Sequence, residues 1–217
     1  MIHEYVVSGN IDNRIMERAA AILKTGGIVA LPTDTSWIIA CSFASSAGIK
    51  KLRRLSGTRN ERFFTLLCTN ISHAGEFCSL DNTRFRFIKR LIPGPFVFIL
   101  KTLLGAERAL GLKRSELGIR IPNHPIPHAL IRTLGQPLYS ITAKRTLGND
   151  GDYETDAEAL FIPEEDLFEG GWELEVLQGV DCILDPGEDL ERLFSTILDL
   201  SGDEVLLVRQ GAGDSLT

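Results

Sequence analysis

The stretch "ALPTDTSW", Ala30 to Trp37, ends an apolar run with a proline, two threonines and an aspartate. A plain turn needs one or two such residues. This cluster sets the hydroxyls of Thr33 and Thr35 and the carboxylate of Asp34 just past a predicted buried strand. Arg59, Arg120, Ser140, Thr142, Ser195 and Arg209 stand at similar places, where other strands are expected to end. An arginine there can grip a carboxylate or phosphate with two parallel hydrogen bonds. Hydroxyls in tight turns donate to phosphate oxygens. Taken singly, each of these residues is more simply explained by capping, turn formation or a surface ion pair. Their order along the chain is what points to a site.

Other chemistries lack their motifs. The sequence has no GxxxxGK[ST] or GxGxxG loop, no HExxH and no GxSxG elbow. The histidines (His3, His73, His124, His128) form no metal-ligand pattern. His124 and His128 are four apart, but Pro125 and Pro127 lie between them and disfavour a regular helix presenting both. No metal site and no protein nucleophile are expected. The four cysteines are scattered without a CxxC pair, and Cys41, Cys68 and Cys182 lie in apolar stretches, the usual setting of buried reduced thiols.

A chain of 217 residues with 44% hydrophobic side chains has material for one good-sized packed domain spanning residues 1–217. No run reaches the ~20 apolar residues a membrane span needs. The start "MIHEYVVSGN" lacks a signal-peptide pattern, so a soluble cytoplasmic protein is expected. The net charge of −6 is unevenly spread: residues 50–145 carry eighteen basic and five acidic side chains, and residues 146–217 carry two basic and twenty acidic. Such a field can draw anions such as nucleotides, phosphate or RNA to the middle of the chain. Alternatively, the acidic third folds against the basic third and neutralises it. Sequence leaves both readings open.

The elements that must position these residues follow from periodicity and punctuation. "IDNRIMERAAAILKTGG" reads as a helix capped by Asp12 or Asn13 and ended at Gly26. "IVALP" and "SWIIACSF" are strands around the threonine cluster, and "SAGIKKLRRL" is a basic helix. "RFFTLLC", "FVFILKTL", "LGIRIP" and "PLYSITA" read as further strands, with "NTRFRFIKRLI" and "IPHALIRTLG" as helices. "CILDPG", "STILDLS" and "EVLLVRQGAG" supply three late short strands. The order lacks the regular alternation of a doubly wound fold. It predicts a mixed, twisted α/β sheet flanked by helices.

Four ordered segments resemble the YrdC/YciO family, the threonylcarbamoyl-adenylate synthase domain and its relatives. "GGIVALPTDTSWIIAC" is similar to the family's opening strand and PT-[DE]-T-x-Y-G-L. "LGIRIPNHPIPHALI" resembles G-[LV]-R-x-P, "GQPLYSITA" resembles P-[LI]-x-S-T-S-A, and "STILDL…VLLVRQGAGD" resembles the closing S-T-[VI]-[VL]-D…R-x-G. The resemblance covers roughly residues 10–214, and "FTLLC" and "PGPFVFILK" point toward the YciO branch. It implies a YrdC-like sheet with a basic concave face. It also implies a reaction taking L-threonine, bicarbonate and ATP, with Mg²⁺ on the nucleotide, to threonylcarbamoyl-adenylate and pyrophosphate, the first step toward threonylcarbamoyladenosine in tRNA. Thr33, Thr35 and Arg120 then fall to the threonine, and Arg59, Ser140, Thr142, Lys144, Ser195 and Arg209 to the nucleotide. The chain also departs from the pattern. Trp37 and Ile38 replace the tyrosine and glycine, Gly57 stands where the KxR motif has its lysine, and Lys144 where SxN has its asparagine. The alternative is a module that holds nucleotide or double-stranded RNA without catalysis.

Overall fold

The computed structural model describes residues 1–57, 64–103, 115–147 and 162–214. Ten strands form one mixed sheet: β1 Ile2–Tyr5, β2 Val29–Leu31, β3 Ile38–Ser42, β4 Thr65–Leu67, β5 Phe96–Lys101, β6 Glu116–Arg120, β7 Leu138–Thr142, β8 Cys182–Asp185, β9 Thr196–Asp199 and β10 Leu206–Arg209. Their order across the sheet is β1-β8-β2-β3-β7-β4-β6-β5-β9-β10. Hairpin-like antiparallel pairs join β2 to β3, β5 to β6 and β9 to β10, while β8 runs parallel to both β1 and β2. The mixed sheet predicted from the sequence is therefore the one observed.

Among the described residues, five α-helices flank the sheet: α1 Asn13–Lys24, α2 Ser46–Ser56, α3 Ile71–Ala74, α4 Asn82–Lys89 and α5 Pro125–Leu134. Helix α1 starts where Asp12 accepts the Arg14 N–H and stops just before Gly26, whose φ of +88° suits a residue without Cβ. Its Met16, Ala19 and Leu23 pack with Ile126, Leu130 and Leu134 of α5 over Val29, Leu31, Ile38 and Ala40. A larger apolar cluster fills the other face, where Ile39, Cys41, Leu66, Phe98, Ile119 and Tyr139 meet Leu52 of α2 and Phe168. Alternation along β3 divides its residues between the two clusters, which explains why "IIACS" reads as a continuous apolar run.

Three elements are absent from the sequence-based reading: β1, α3 and a 3-10 turn over Gly171–Val176. β1 is an edge strand with Ile2 and Tyr5 exposed and its partner about 180 residues away, so no local pattern marks it. Most of the polar, acidic segment "GNDGDYETDAEALFIPEEDL" lies outside the described residues. On the question of charge, the acidic third is threaded through the sheet as β8, β9 and β10. Lys51–Asp181 and Arg145–Glu173 pair the two thirds at 2.6 Å each. Among the described residues, no helix is long and apolar enough to cross a membrane.

Candidate functional site

The loop between β2 and β3 is built around Thr33. Its hydroxyl donates to the Ser36 carbonyl at 2.6 Å and accepts the N–H groups of Thr35 and Ser36 at 3.2 and 3.3 Å. These local bonds, rather than a sheet ladder, fix the backbone after Pro32. Trp37 then returns the chain to β3. Its fully buried indole donates to the Glu169 carbonyl at 2.8 Å, and its own carbonyl accepts the Ala143 N–H at 2.9 Å. Trp37 is a fully buried member of the larger apolar cluster.

Arg120, the last residue of β6, meets this loop across the two intervening strands β7 and β4. Its Nη2 donates to Asp34 Oδ1 at 2.7 Å, to Thr35 Oγ1 at 2.8 Å and to Thr33 Oγ1 at 3.1 Å. Arg120 is buried and Asp34 part-buried, with 6% and 12% of their side chains exposed. The pair is incompletely satisfied: Asp34 Oδ2 and Arg120 Nε are buried without a hydrogen-bond partner. Burial lowers the Arg120 pKa, and Asp34 opposes the shift by charge and by hydrogen bond.

Arg209, at the end of β10, donates through Nε and Nη2 to the Ser195 carbonyl at 3.2 and 3.0 Å, with its guanidinium over the Phe194 ring. Its pKa is pushed down to about 10, first by burial and then by the positive charge of Arg120. The fold thus brings together two arginines that lie 89 positions apart in the chain. The segment before Ser195 is tied to the threonine loop by the Leu193 N–H, which donates to the Thr35 carbonyl at 3.4 Å.

Sheet register places the β7 residues. Ile39↔Ile141, Leu66↔Tyr139 and Leu66↔Ile119 pair within the larger apolar cluster, so Ser140, Thr142, Thr65, Gly118 and Arg120 share the opposite face. Ser140 is buried there and its hydroxyl donates to the Thr65 carbonyl at 3.0 Å. Thr142 is half-buried opposite Ile38, and Lys144 bridges to Leu167 just beyond the strand. Arg59 lies outside the described residues.

Sequence reasoning missed the role of Asp34, although the carboxylate was visible in "PTDT". It also missed His124, which caps α5 by accepting the Ile126 N–H at Nδ1 and carries Pro125 at the first helical position. Its pKa is lowered to about 4, mainly by burial, with His128 adding to the shift and Asp34 opposing it. The ring is therefore neutral at pH 7. His128 is engaged separately with the Pro122 carbonyl at 2.7 Å. Among the described residues no group of three or more His, Cys, Asp or Glu is placed to hold a metal ion. All four cysteines are buried and free. Burial raises every one of their thiol pKa values, to about 12 for Cys41, Cys78 and Cys182.

The chain is similar to known proteins over nearly its whole length. An Escherichia coli protein called "Uncharacterized protein YciO" is 31% identical over 211 residues, covering 97% of this chain and 95% of its own. The crystal structure of E. coli YciO superposes with a TM-score of 0.78 over 99% of this chain and 98% of that one, at 29% identity. The mouse threonylcarbamoyl-AMP synthase is 26% identical over 186 residues, and the match spans 86% of this chain but 62% of the synthase. At 18% identity, P. abyssi Sua5 complexed with L-threonine shares the fold, with a TM-score of 0.72 over 97% of this chain and 58% of that one. The Sua5/YciO/YrdC family model, described as "Telomere recombination", matches residues 21–160. With that match and the full-length likeness to YciO, the chain belongs to the Sua5/YciO/YrdC family.

Proposed function

We propose that this protein binds ATP and makes threonylcarbamoyl-AMP at a low or altered rate, as a cytoplasmic synthase homologue in tRNA threonylcarbamoyladenosine modification. One arrangement carries the reading: the buried Arg120 guanidinium meets the Thr33–Thr35 loop with its own Nε and Asp34 Oδ2 left without partners, and the charge of Arg120 reaches the part-buried Arg209. Like charges held together away from water are relieved by an anionic ligand. The likeness to the mouse synthase supports ATP and threonine as that ligand pair.

In this reading the threonine nitrogen bonds to the carbon of bicarbonate with loss of water, giving a carbamate. A carbamate oxygen then bonds to the α-phosphorus while the bond to the β-phosphate bridging oxygen breaks and pyrophosphate leaves. Such a reaction needs positioning and positive charge more than a protein nucleophile. Arg120 and Thr35 hold the threonine. Thr33, with its hydroxyl spent on the loop and on Arg120, acts by shaping that subsite. Arg59, Ser140, Thr142, Lys144, Ser195 and Arg209 serve the phosphates and ribose. Mg²⁺ would accompany the triphosphate, held mainly by phosphate oxygens and water.

The rate is expected to be low because Gly57 and Lys144 replace two phosphate contacts, and one lost transition-state contact typically costs about 10²–10³. The test is incubation with ATP, bicarbonate and L-threonine, scoring pyrophosphate and the adenylate. Slow turnover, raised by Lys144→Asn, supports the reading, and adenylate formation that is absent in both proteins despite ATP binding sinks it.

A second reading rests on the exposed basic side chains Arg86, Lys89 and Arg90 on and just after α4. They suit backbone contacts to duplex RNA without catalysis, and that binding would weaken steeply as salt rises.

A further inference from the structure

His3 has no part in the site above, yet both of its ring nitrogens are engaged. Nδ1 lies 2.8 Å from Glu175 Oε1 and Nε2 lies 2.7 Å from Asp185 Oδ2. The three residues come from β1, the Gly171–Val176 turn and the end of β8. Asp185 has 5% of its side chain exposed and Glu175 has 58%. Its environment is built for this purpose. Asp185 Oδ1 accepts the Gly187 N–H at 2.8 Å, and any Cβ at position 171 would collide with the Asp185 carboxylate. Tyr5 stacks on the imidazole with ring centroids 4.9 Å apart.

A carboxylate only accepts hydrogen bonds, and a neutral imidazole has a single N–H to donate. Two carboxylates can both be served only by the doubly protonated ring. We propose that His3, Glu175 and Asp185 form a proton-operated clasp that ties the edge strand β1 and the Gly171–Val176 turn to β8, and that loses its Glu175 link when His3 gives up a proton. The Asp185 bond is the one retained, because a buried carboxylate without a partner costs more than an exposed one. The neutral ring therefore keeps its proton on Nε2.

The other charged and titratable groups nearby are otherwise committed. On β1, Glu4 is held by Arg18 at 2.7 Å. In the turn, Glu173 is held by Arg145, and beside β8, Asp181 is held by Lys51. The Cys182 thiol, pushed up to about 12, stays neutral. Burial works against charge on His3, but the bonds to Glu175 and Asp185 together outweigh it and its pKa is raised. The clasp is thus closed below the ordinary histidine value near 6.5 and opens as pH rises through the elevated value of the folded protein. What it holds bears on the site, because the Glu169 carbonyl two residues before the turn receives the Trp37 indole.

The test is nitrogen NMR of histidine-labelled protein, which reads each ring nitrogen separately. The wild type should titrate above ~6.5, losing the Nδ1 proton and keeping the one on Nε2, and Glu175→Gln should lower the midpoint by about half a unit. Amide exchange in residues 171–176, compared with His3→Gln at each pH, should be roughly two- to fivefold slower below the midpoint and equal above it. Loss of the Nε2 proton instead, a midpoint unmoved by Glu175→Gln, or an exchange ratio independent of pH would each overturn the clasp.

Discussion

Two carboxylates in this molecule, one part-buried and one buried, face cations of different kinds. Asp34 meets Arg120 between the β2–β3 loop and β6, and Asp185 meets His3 between β8 and β1. A guanidinium holds its charge across the whole physiological range, whereas an imidazole changes charge near neutrality. The first pair is therefore electrostatically constant and the second responds to pH. They also differ in completion. Both Asp185 oxygens are used, one by His3 and one by Gly187, while Asp34 Oδ2 and Arg120 Nε are left open. In the proposed reading the open capacity of the first pair receives the ligand, and the fully used second pair acts as a fastener.

The largest expected effect separates the two pairs outright. Arg120→Ala leaves Asp34 charged and part-buried, and should lower stability by about 3–5 kcal/mol in urea unfolding. A loss no greater than that of His3→Ala would remove the distinction. Arg209→Ala should weaken ATP binding by about 1–3 kcal/mol in calorimetry if its charged hydrogen bonds reach the phosphates. Unchanged affinity would confine Arg209 to holding Ser195.

Restoring the family lysine at Gly57 tests the site through its backbone. Gly57 closes α2 with φ +63°, a left-handed conformation that costs a residue with a Cβ about 1 kcal/mol or more. Gly57→Lys should therefore be less stable than the wild type by that amount, which makes Lys144→Asn the cleaner way to probe lost synthase chemistry. The smallest effect belongs to the clasp. Since its folded pKa is raised, His3 stabilises the protein fully below pH ~6.5, and that contribution, under about 1 kcal/mol because Glu175 stands largely in solvent, is lost as pH rises further. The difference in stability between the wild type and His3→Gln, measured from pH 5.5 to 8.5, should shrink with pH. A constant difference would contradict a titrating clasp.

The sequence made one member of the constant pair readable, Arg120, and hid the titrating pair. "PTDT" and "GIRIP" each combine a strand with its polar terminus, so local punctuation announces Thr33, Thr35 and Arg120. That Thr33 would be consumed by its own loop, and that Asp34 would be the ion-pair partner, depends on hydrogen bonds formed only when β6 comes alongside. His3 and Asp185 are 182 positions apart, with no spacing to connect them. Continuous apolar runs exposed β2, β3 and β7 because the sheet buries both of their faces, and no such run marks β1 because an edge strand wears a half-solvated surface.

The placement of β8 between β1 and β2 has a consequence for synthesis on the ribosome. The slot beside β2 is filled by residues 182–185, about 150 positions later in the chain. At 5–20 residues per second, β2 waits roughly ten to thirty seconds for that neighbour. For that time the nascent chain offers the apolar edge of Val29–Leu31 to any extended segment that comes past. Vectorial folding cannot finish this half of the sheet until residues 182–185 have emerged.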